Sequence, residues 1–306
     1  MLDVENAVAF TQSCEASIPD SRLDETANWV AAARAEESKR VYRLFDDPLA
    51  NLLAGEAGFS WLAKYPHSAN SLAIRTRFFD DFLVEATSSH GIRQVVILAS
   101  GFDMRSWRIE WPEGVRLFEL DRKELLEKKC STAEASGALP LCRPTFIGAD
   151  LTVDWKNLLL DESVGFDPAT PSAWLIEGLL VYLDDWQVGS LIDDVTMLSA
   201  AGSRIGIDLA SRAILDPRRN FTGLKELRVR GCPWLFGTDE PNRLLEERGW
   251  DTTVCEFEEA EQRYGRRRPM SYGRASLEPK DKPNSFFVTA AKLPESEFPK
   301  SAYKNG

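Results

Sequence analysis

"VVILASGFDMRSWRI", Val95 to Ile109, decides the fold. A run of branched apolar residues stops at the small-residue turn Ala99-Ser100-Gly101, and Asp103, Arg105 and Arg108 follow at once. Two readings compete. Either a nucleotide-sized ligand sits over the turn, or this is an ordinary tight strand-to-helix connection. The residues about twenty and fifty positions further on separate them, because a nucleotide site draws its other groups from the next strands.

Working outward, the texture on the C-terminal side alternates. "QVVILAS", "VRLFELD", "PTFIGAD", "SAWLIEGLLVYL" and "SRIGIDLA" are short apolar runs rich in Val, Ile, Leu and Phe. Strands buried on both faces of a parallel sheet have this composition. Between them "RKELLEKKCSTAEAS" and "DDWQVGSLIDDVTMLSA" read as helices, the second capped by Asp184 or Asp185. The βαβ rhythm predicts a doubly wound α/β sheet. "DTTVCEFEE" and "NSFFVTAAKL" read as two closing strands, an antiparallel pair at the sheet edge. On the N-terminal side the reading is helical: "SRLDETANWVAAARAEESKRVYRLF" with Ser21 or Asp24 as cap, a restart after Asp47-Pro48, then "NSLAIRTRFFDDFLVEATSSHG" ending before Gly91. The expected organisation is an N-terminal helical cap over 1–90 and a Rossmann-like core over 91–306. The irregular stretch that starts at Ser211 is expected to be an inserted lid, at about 211–245. Residues 1–20 and the tail after Pro294 carry little pattern and are expected to be mobile.

Composition narrows the function. The 306 residues are 43% hydrophobic and 28% charged, with net charge −11. That balance disfavours nucleic acid or an anionic membrane surface as partner, since both repel an acidic chain. The densest basic cluster, Arg266-Arg267-Arg268, reads as a solvated loop. The five cysteines (Cys14, Cys130, Cys142, Cys232 and Cys255) form no Cys-x-x-Cys pair, which suits reduced thiols in the cytoplasm. No apolar run approaches the ~20 residues of a membrane span. The only histidines are His67 and His90, so neither a metal site nor a Ser-His-Asp triad is expected.

The strand ends carry the site. The first ends in Ala99-Ser100-Gly101, the second in Glu119-Leu120-Asp121, the third in Asp150-Leu151 and the fourth in Glu177-Gly178. In an open parallel sheet, ligands bind beyond these ends. Asp121 follows Gly101 at the interval at which nucleotide-binding units place an acid on the ribose hydroxyls. Asp150 suits the exocyclic amine of an adenine, with the Leu151 amide for a ring nitrogen. The G-x-G-x-x-G that cradles a pyrophosphate is absent, because Ala99 replaces its first glycine and Met104-Arg105 follow. That leans toward an adenosyl cofactor without phosphates. S-adenosylmethionine fits: an acid-rich cleft favours its sulfonium, and Arg75 or Arg77 would pair its carboxylate.

At this point the chain resembles the leucine carboxyl methyltransferase-like family of S-adenosylmethionine-dependent methyltransferases. Its bacterial branch includes carboxyl methyltransferases of polyketide pathways and other O-methyltransferases. The resemblance runs from about Thr26 to Gly265. It rests on "ARAEESKRVYRLFDDPLA", "AIRTRFFDDFL", "VVILASGFDMRSWRI", "FELD", "ADLTVDW", "GFDPATPSAWLIEGLLVYL", "LSAAGSRIGIDL", "LLEERGW" and "RYGR". It implies that Arg75 holds the cofactor's carboxylate and Gly101 lies beside its methionine moiety. It also implies that Asp121 holds the ribose, Asp150 and Leu151 the adenine, and that Glu177 lies near the amino group or sulfonium. Tyr182 stands where the family has a tyrosine facing the acceptor. The departure is Ala99, where members have glycine.

The expected reaction is methyl transfer to an oxygen, favouring a carboxylate of a small molecule or a peptide C-terminus. A carboxylate is already ionised at neutral pH and needs no strong base. Arg212, Arg218, Arg219 and Arg230, in the expected lid, are candidates to bind an acidic acceptor. The alternatives are a hydroxyl or phenol acceptor, a non-catalytic S-adenosylmethionine- or adenosine-binding protein, and an NAD-dependent oxidoreductase. The missing glycines argue against the last.

Overall fold

A computed structural model describes residues 21–219, 221–266 and 283–297. The segments expected to be mobile at the N-terminus, and Cys14, Arg267 and Arg268, lie outside the described residues, as does the chain after Glu297. Seven strands form one sheet: β1 (Gln94–Leu98), β2 (Arg116–Asp121), β3 (Arg143–Gly148), β4 (Ser172–Ile176), β5 (Arg204–Ala210), β6 (Trp250–Glu256) and β7 (Ser285–Lys292), in the order β3-β2-β1-β4-β5-β7-β6. The first five are parallel. β7 runs antiparallel between β5 and β6, so the two closing strands do pair, with β6 at the edge. The order reverses between β1 and β4, which opens a crevice at their carboxyl ends.

Every residue of β1 and β4 is buried, because both sheet faces are covered. Side chains alternate across a strand. Val96 and Leu98, with Trp174 and Ile176, face a core completed by Val188, Leu191, Ile192 and Val195. Val95 and Ile97, with Ala173 and Leu175, face Ile74, Phe78, Phe79, Phe82 and Leu83.

The helices are α1 (Ser21–Ser38), α2 (Ala50–Lys64), α3 (His67–Ser88), α4 (Arg105–Arg108), α5 (Lys123–Ser136), α6 (Trp155–Leu159), α7 (Asp185–Met197), α8 (Arg212–Leu215), α9 (Thr222–Val229), α10 (Arg243–Glu246) and α11 (Phe257–Arg263). Thus Val188 to Val195 come from α7 and Ile74 to Leu83 from α3. Asp184 is the α7 cap, in a reciprocal capping box with Gln187. Helices α1 and α2 pack on each other and, with Phe102 and Met104, form a third core. Between β5 and β6 the chain carries α8, a 3-10 turn at Pro217–Arg219, α9 and α10.

Two elements are shorter than their sequence pattern. α1 stops at Ser38, not Phe45, because the following loop is held by side chains. Ser38 Oγ accepts from the Asp47 amide at 2.8 Å, and Glu37 Oε1 from the Leu44 amide at 2.7 Å. The apolar run "SAWLIEGLLVYL" is strand only to Ile176. Gly178 then adopts φ +72°, and Leu180–Tyr182 form a 3-10 turn. A side chain at Gly178 would also strike the Arg75 guanidinium, 2.9 Å from the position of its Cβ. A glycine satisfies both demands.

Candidate functional site

A cavity of about 1300 Å³ opens beyond the carboxyl ends of the parallel strands. All eight residues singled out by sequence line it: Arg75, Ala99, Gly101, Asp121, Asp150, Leu151, Glu177 and Tyr182. Arg77 does not; it pairs with Asp81 at 2.9 Å and donates to the Leu44 carbonyl.

The turn after β1 is tightly specified. Ala99 has φ +52°, the one positive value among described non-glycine residues. Gly101, at φ +49°, donates its amide to Asp121 Oδ2 at 2.6 Å. Asp121 Oδ1 accepts from the Arg122 amide at 2.7 Å. Burial pushes the Asp121 carboxyl up, and the two amide donors only partly offset it. The left-handed region is costly for alanine and free for glycine, while glycine loses more chain entropy on folding. Ala99→Gly is therefore expected to stabilise the fold by about 0.5–1 kcal/mol. Urea unfolding of the two proteins checks it; an unchanged midpoint would mean that the strain is absorbed elsewhere.

Behind the turn the Asp and Arg side chains that opened the sequence question are buried, not solvated. Arg105, on α4, is fully buried. It pairs with Asp80 at 2.7 Å, with Glu177 at 2.9 Å, and with Asp103. Arg108 pairs with Asp80 and, at 3.7 Å, with Asp47. Glu177, at the tip of β4, also meets Arg75 at 3.0 Å and Arg34 of α1 at 3.6 Å. Burial pushes the Glu177 carboxyl up, but Arg105, Arg75 and Arg34 together hold it below the usual range. Arg75 Nη1 donates to Asp208 Oδ2 at 3.0 Å, and the Gly178 amide to Asp208 Oδ1 at 2.6 Å. Burial leaves Asp208 raised despite Arg75.

This network contains four guanidiniums (Arg34, Arg75, Arg105 and Arg108) and five carboxylates (Asp47, Asp80, Asp103, Glu177 and Asp208). The excess acid favours a cationic ligand. Glu177 Oε2 lies within ionic range of Arg105 but accepts no directed hydrogen bond, so a buried acceptor is open. Arg75 Nη2 has no partner among the described residues. An open acceptor beside an open donor suits an α-amino acid headgroup. Arg34, Asp103, Arg105 and Asp208 were not anticipated from sequence. A lone acid inside the apolar run "RIGIDLA" was the available signal for Asp208; nothing in the sequence marked the others as buried partners of one another.

At the other end Tyr182 belongs to an apolar cluster with Trp29, Trp61, Leu227 and Trp234. Trp29 and Trp61 stack with centroids 4.6 Å apart. Burial pushes the Tyr182 phenol up, which keeps it a neutral hydrogen-bond donor. No histidine is among the described residues lining the cavity. The expected lid arginines are not at the cavity either. Arg218 is paired to Asp216, and Arg230 to Glu25 and Glu226; neither they nor Arg212 or Arg219 line it. The Arg218 charge is answered by an acid two residues away, and the Arg230 charge by acids on α9 and α1.

Comparison with known proteins gives the family and the fold. The family model for leucine carboxyl methyltransferase matches residues 27–196. A relative from Saccharopolyspora erythraea, named for S-adenosyl-L-methionine-dependent methyl transfer, is 40% identical over 242 residues, 74% of this chain and 82% of its own. One of the same name from Mycobacterium tuberculosis is 33% identical over 301 residues, 87% of this chain and 93% of its own. Among solved structures, a DUF574-family protein from Streptomyces avermitilis superposes with TM-score 0.58 at 14% identity, covering 86% of this chain and 96% of that one. A Thermobifida fusca protein described as a methyltransferase gives 0.55 at 16%, covering 86% and 94%. At such identities these two speak for the fold alone. No described helix is long and apolar enough to cross a membrane. The chain is an S-adenosylmethionine-dependent methyltransferase of the leucine carboxyl methyltransferase family, built on a Rossmann-like α/β sheet.

Proposed function

We propose that this protein transfers a methyl group to an oxygen of its acceptor, and that the oxygen belongs to a carboxylate. One observation carries the reading: the acidic, arginine-laced end of the cavity adjoins an apolar end that holds a neutral tyrosine and no histidine. When bound, S-adenosylmethionine supplies an electrophilic methyl on a sulfonium. Arg75 Nη2 takes the cofactor's carboxylate and Glu177 Oε2 its amino group. Asp121 takes the ribose diol, and Asp150 with Leu151 the adenine. Asp150 Oδ1 already accepts from the Thr152 amide and hydroxyl at 2.8 and 2.6 Å, which fixes its direction.

The methyl would be taken by the acceptor oxygen in one displacement, with the electron pair of the carbon–sulfur bond left on sulfur. A carboxylate brings its own negative charge, so the chain need supply only alignment and dryness. Trp29, Trp61 and Leu227 exclude water, and the Tyr182 hydroxyl orients the acceptor. The segment from α8 to α10 serves as the lid, since Lys64 and Tyr65 on the α2 side meet Glu226 of α9.

A hydroxyl acceptor is the second reading, because it needs a base and Asp208, raised by burial, lies at the cavity. Its two oxygens are engaged by Arg75 and the Gly178 amide, which favours the first. The test is methylation with a radiolabelled donor across apolar carboxylic acids and their hydroxylated counterparts, then mild alkali. Release of the label as methanol marks an ester. An alkali-stable label marks an ether and transfers the assignment to Asp208. Tyr182→Phe is expected to lower kcat about tenfold to a hundredfold and to leave S-adenosylhomocysteine affinity unchanged. Loss of that affinity instead would place Tyr182 against the cofactor.

A further inference from the structure

Beneath the Ala99–Gly101 turn lies a second ion pair that the reaction does not use. Lys129 of α5 and Glu119 of β2 are both fully buried and in direct contact, and neither lines the cavity. Lys129 Nζ donates to Ser100 Oγ at 3.0 Å and to the Asp103 carbonyl at 3.2 Å. The other Glu119 oxygen accepts from Ser106 Oγ at 2.6 Å. One ammonium thus ties both ends of the 100–103 turn to the helix and strand beneath. Buried ion pairs are no better for stability than apolar residues of the same volume. This one holds Ser100, the residue next in chain to Ala99, whose backbone is the strained one.

We propose that Lys129 and Glu119 are positioning residues that, through Ser100, hold the strained turn in the shape that receives S-adenosylmethionine. This rests on the reading that the cofactor lies over Ala99–Gly101. Released from Lys129, Ala99 relaxes toward negative φ, and the Gly101 amide leaves Asp121. Glycine at position 99 has no such preference. The clamp and the strain are therefore coupled.

Calorimetric titration of the full chain with S-adenosylhomocysteine measures that coupling. Ser100→Ala is the probe, because Lys129→Met leaves Glu119 buried and unpaired and endangers the fold. Ser100→Ala is expected to raise Kd about tenfold, the scale of one hydrogen bond from a charged donor. In the Ala99→Gly background the same change is expected to raise Kd less than about threefold, a departure from additivity that a merely structural role does not produce. Ser100→Thr, which keeps the hydroxyl, is expected to bind as the wild type does. Equal penalties in the two backgrounds, or no penalty from Ser100→Ala, overturn the clamp while leaving the site intact. A wild-type chain that binds no S-adenosylhomocysteine removes the site reading and the clamp with it.

Discussion

Arg105→Met is expected to cost about 3–5 kcal/mol of folding stability at neutral pH, and the loss is expected to shrink as the pH falls. Met has the length to fill the space but not the charge. Its presence leaves Asp80, Asp103 and Glu177 buried with less compensation, and all three now sit below the ordinary carboxylate range. Burial pushes each of them up; the guanidiniums outweigh it. A depressed carboxyl lends the folded state stability above its unfolded pKa, and that share is lost as pH falls through the depressed value. Without Arg105 the carboxyls rise, so the folded variant takes up protons first, and its stability recovers relative to the wild type on acidification. Urea unfolding of both proteins at several pH values between neutral and about 5 reads this directly. Parallel curves would show that Arg105 acts by packing alone. Arg105→Lys is not expected to rescue, since a point charge cannot serve three carboxylates held in a fork.

The same residue shows where sequence runs out. "VVILASGFDMRSWRI" declared the strand and the turn, because branched apolar runs and small residues have few other uses. It did not declare that Asp103 and Arg105 turn inward. A charge on a helix reads as solvated, and only the partners on α3 and β4, distant in chain, make its burial tolerable. Arg34 is the same case: in "AAARAEES" it looks like a surface arginine, yet it is buried against Phe102, Asp103 and Glu177. Asp208 sits one residue past the Ile176–Ile207 pair, so the β4–β5 register sets it beside Glu177. That register is invisible in a single chain read linearly. The site residues that were legible, Asp121 and Glu177 above all, owe it to standing at strand ends, where an acid is exposed to whatever the sheet binds. The overrun of "SAWLIEGLLVYL" has the opposite cause: apolar content continues through the 3-10 turn, and only the backbone of Gly178 marks the end of the strand.

Asp121→Ala is expected to weaken S-adenosylhomocysteine binding about a hundredfold or more, since two hydroxyl donors lose a charged acceptor. Asp121→Asn, which keeps one oxygen, is expected to lie between the variant and the wild type. The pH dependence is the sharper test. Burial raises the Asp121 carboxyl above its ordinary value even against the Gly101 and Arg122 amides. The folded chain therefore takes up this proton before the unfolded one does, and from this group alone stability rises as the pH falls. Affinity moves the other way, because a protonated carboxyl accepts fewer bonds from the ribose. Wild-type affinity is then expected to decline on acidification from above the usual carboxylate range, with no matching loss of fold. In Asp121→Ala that component of the decline is expected to vanish, and calorimetry across the range measures both. Unchanged affinity in the alanine variant would move the ribose off the tip of β2. A decline that persists in it would assign the titration to another carboxylate, of which Asp208, also raised by burial and also at the cavity, is the one to examine next.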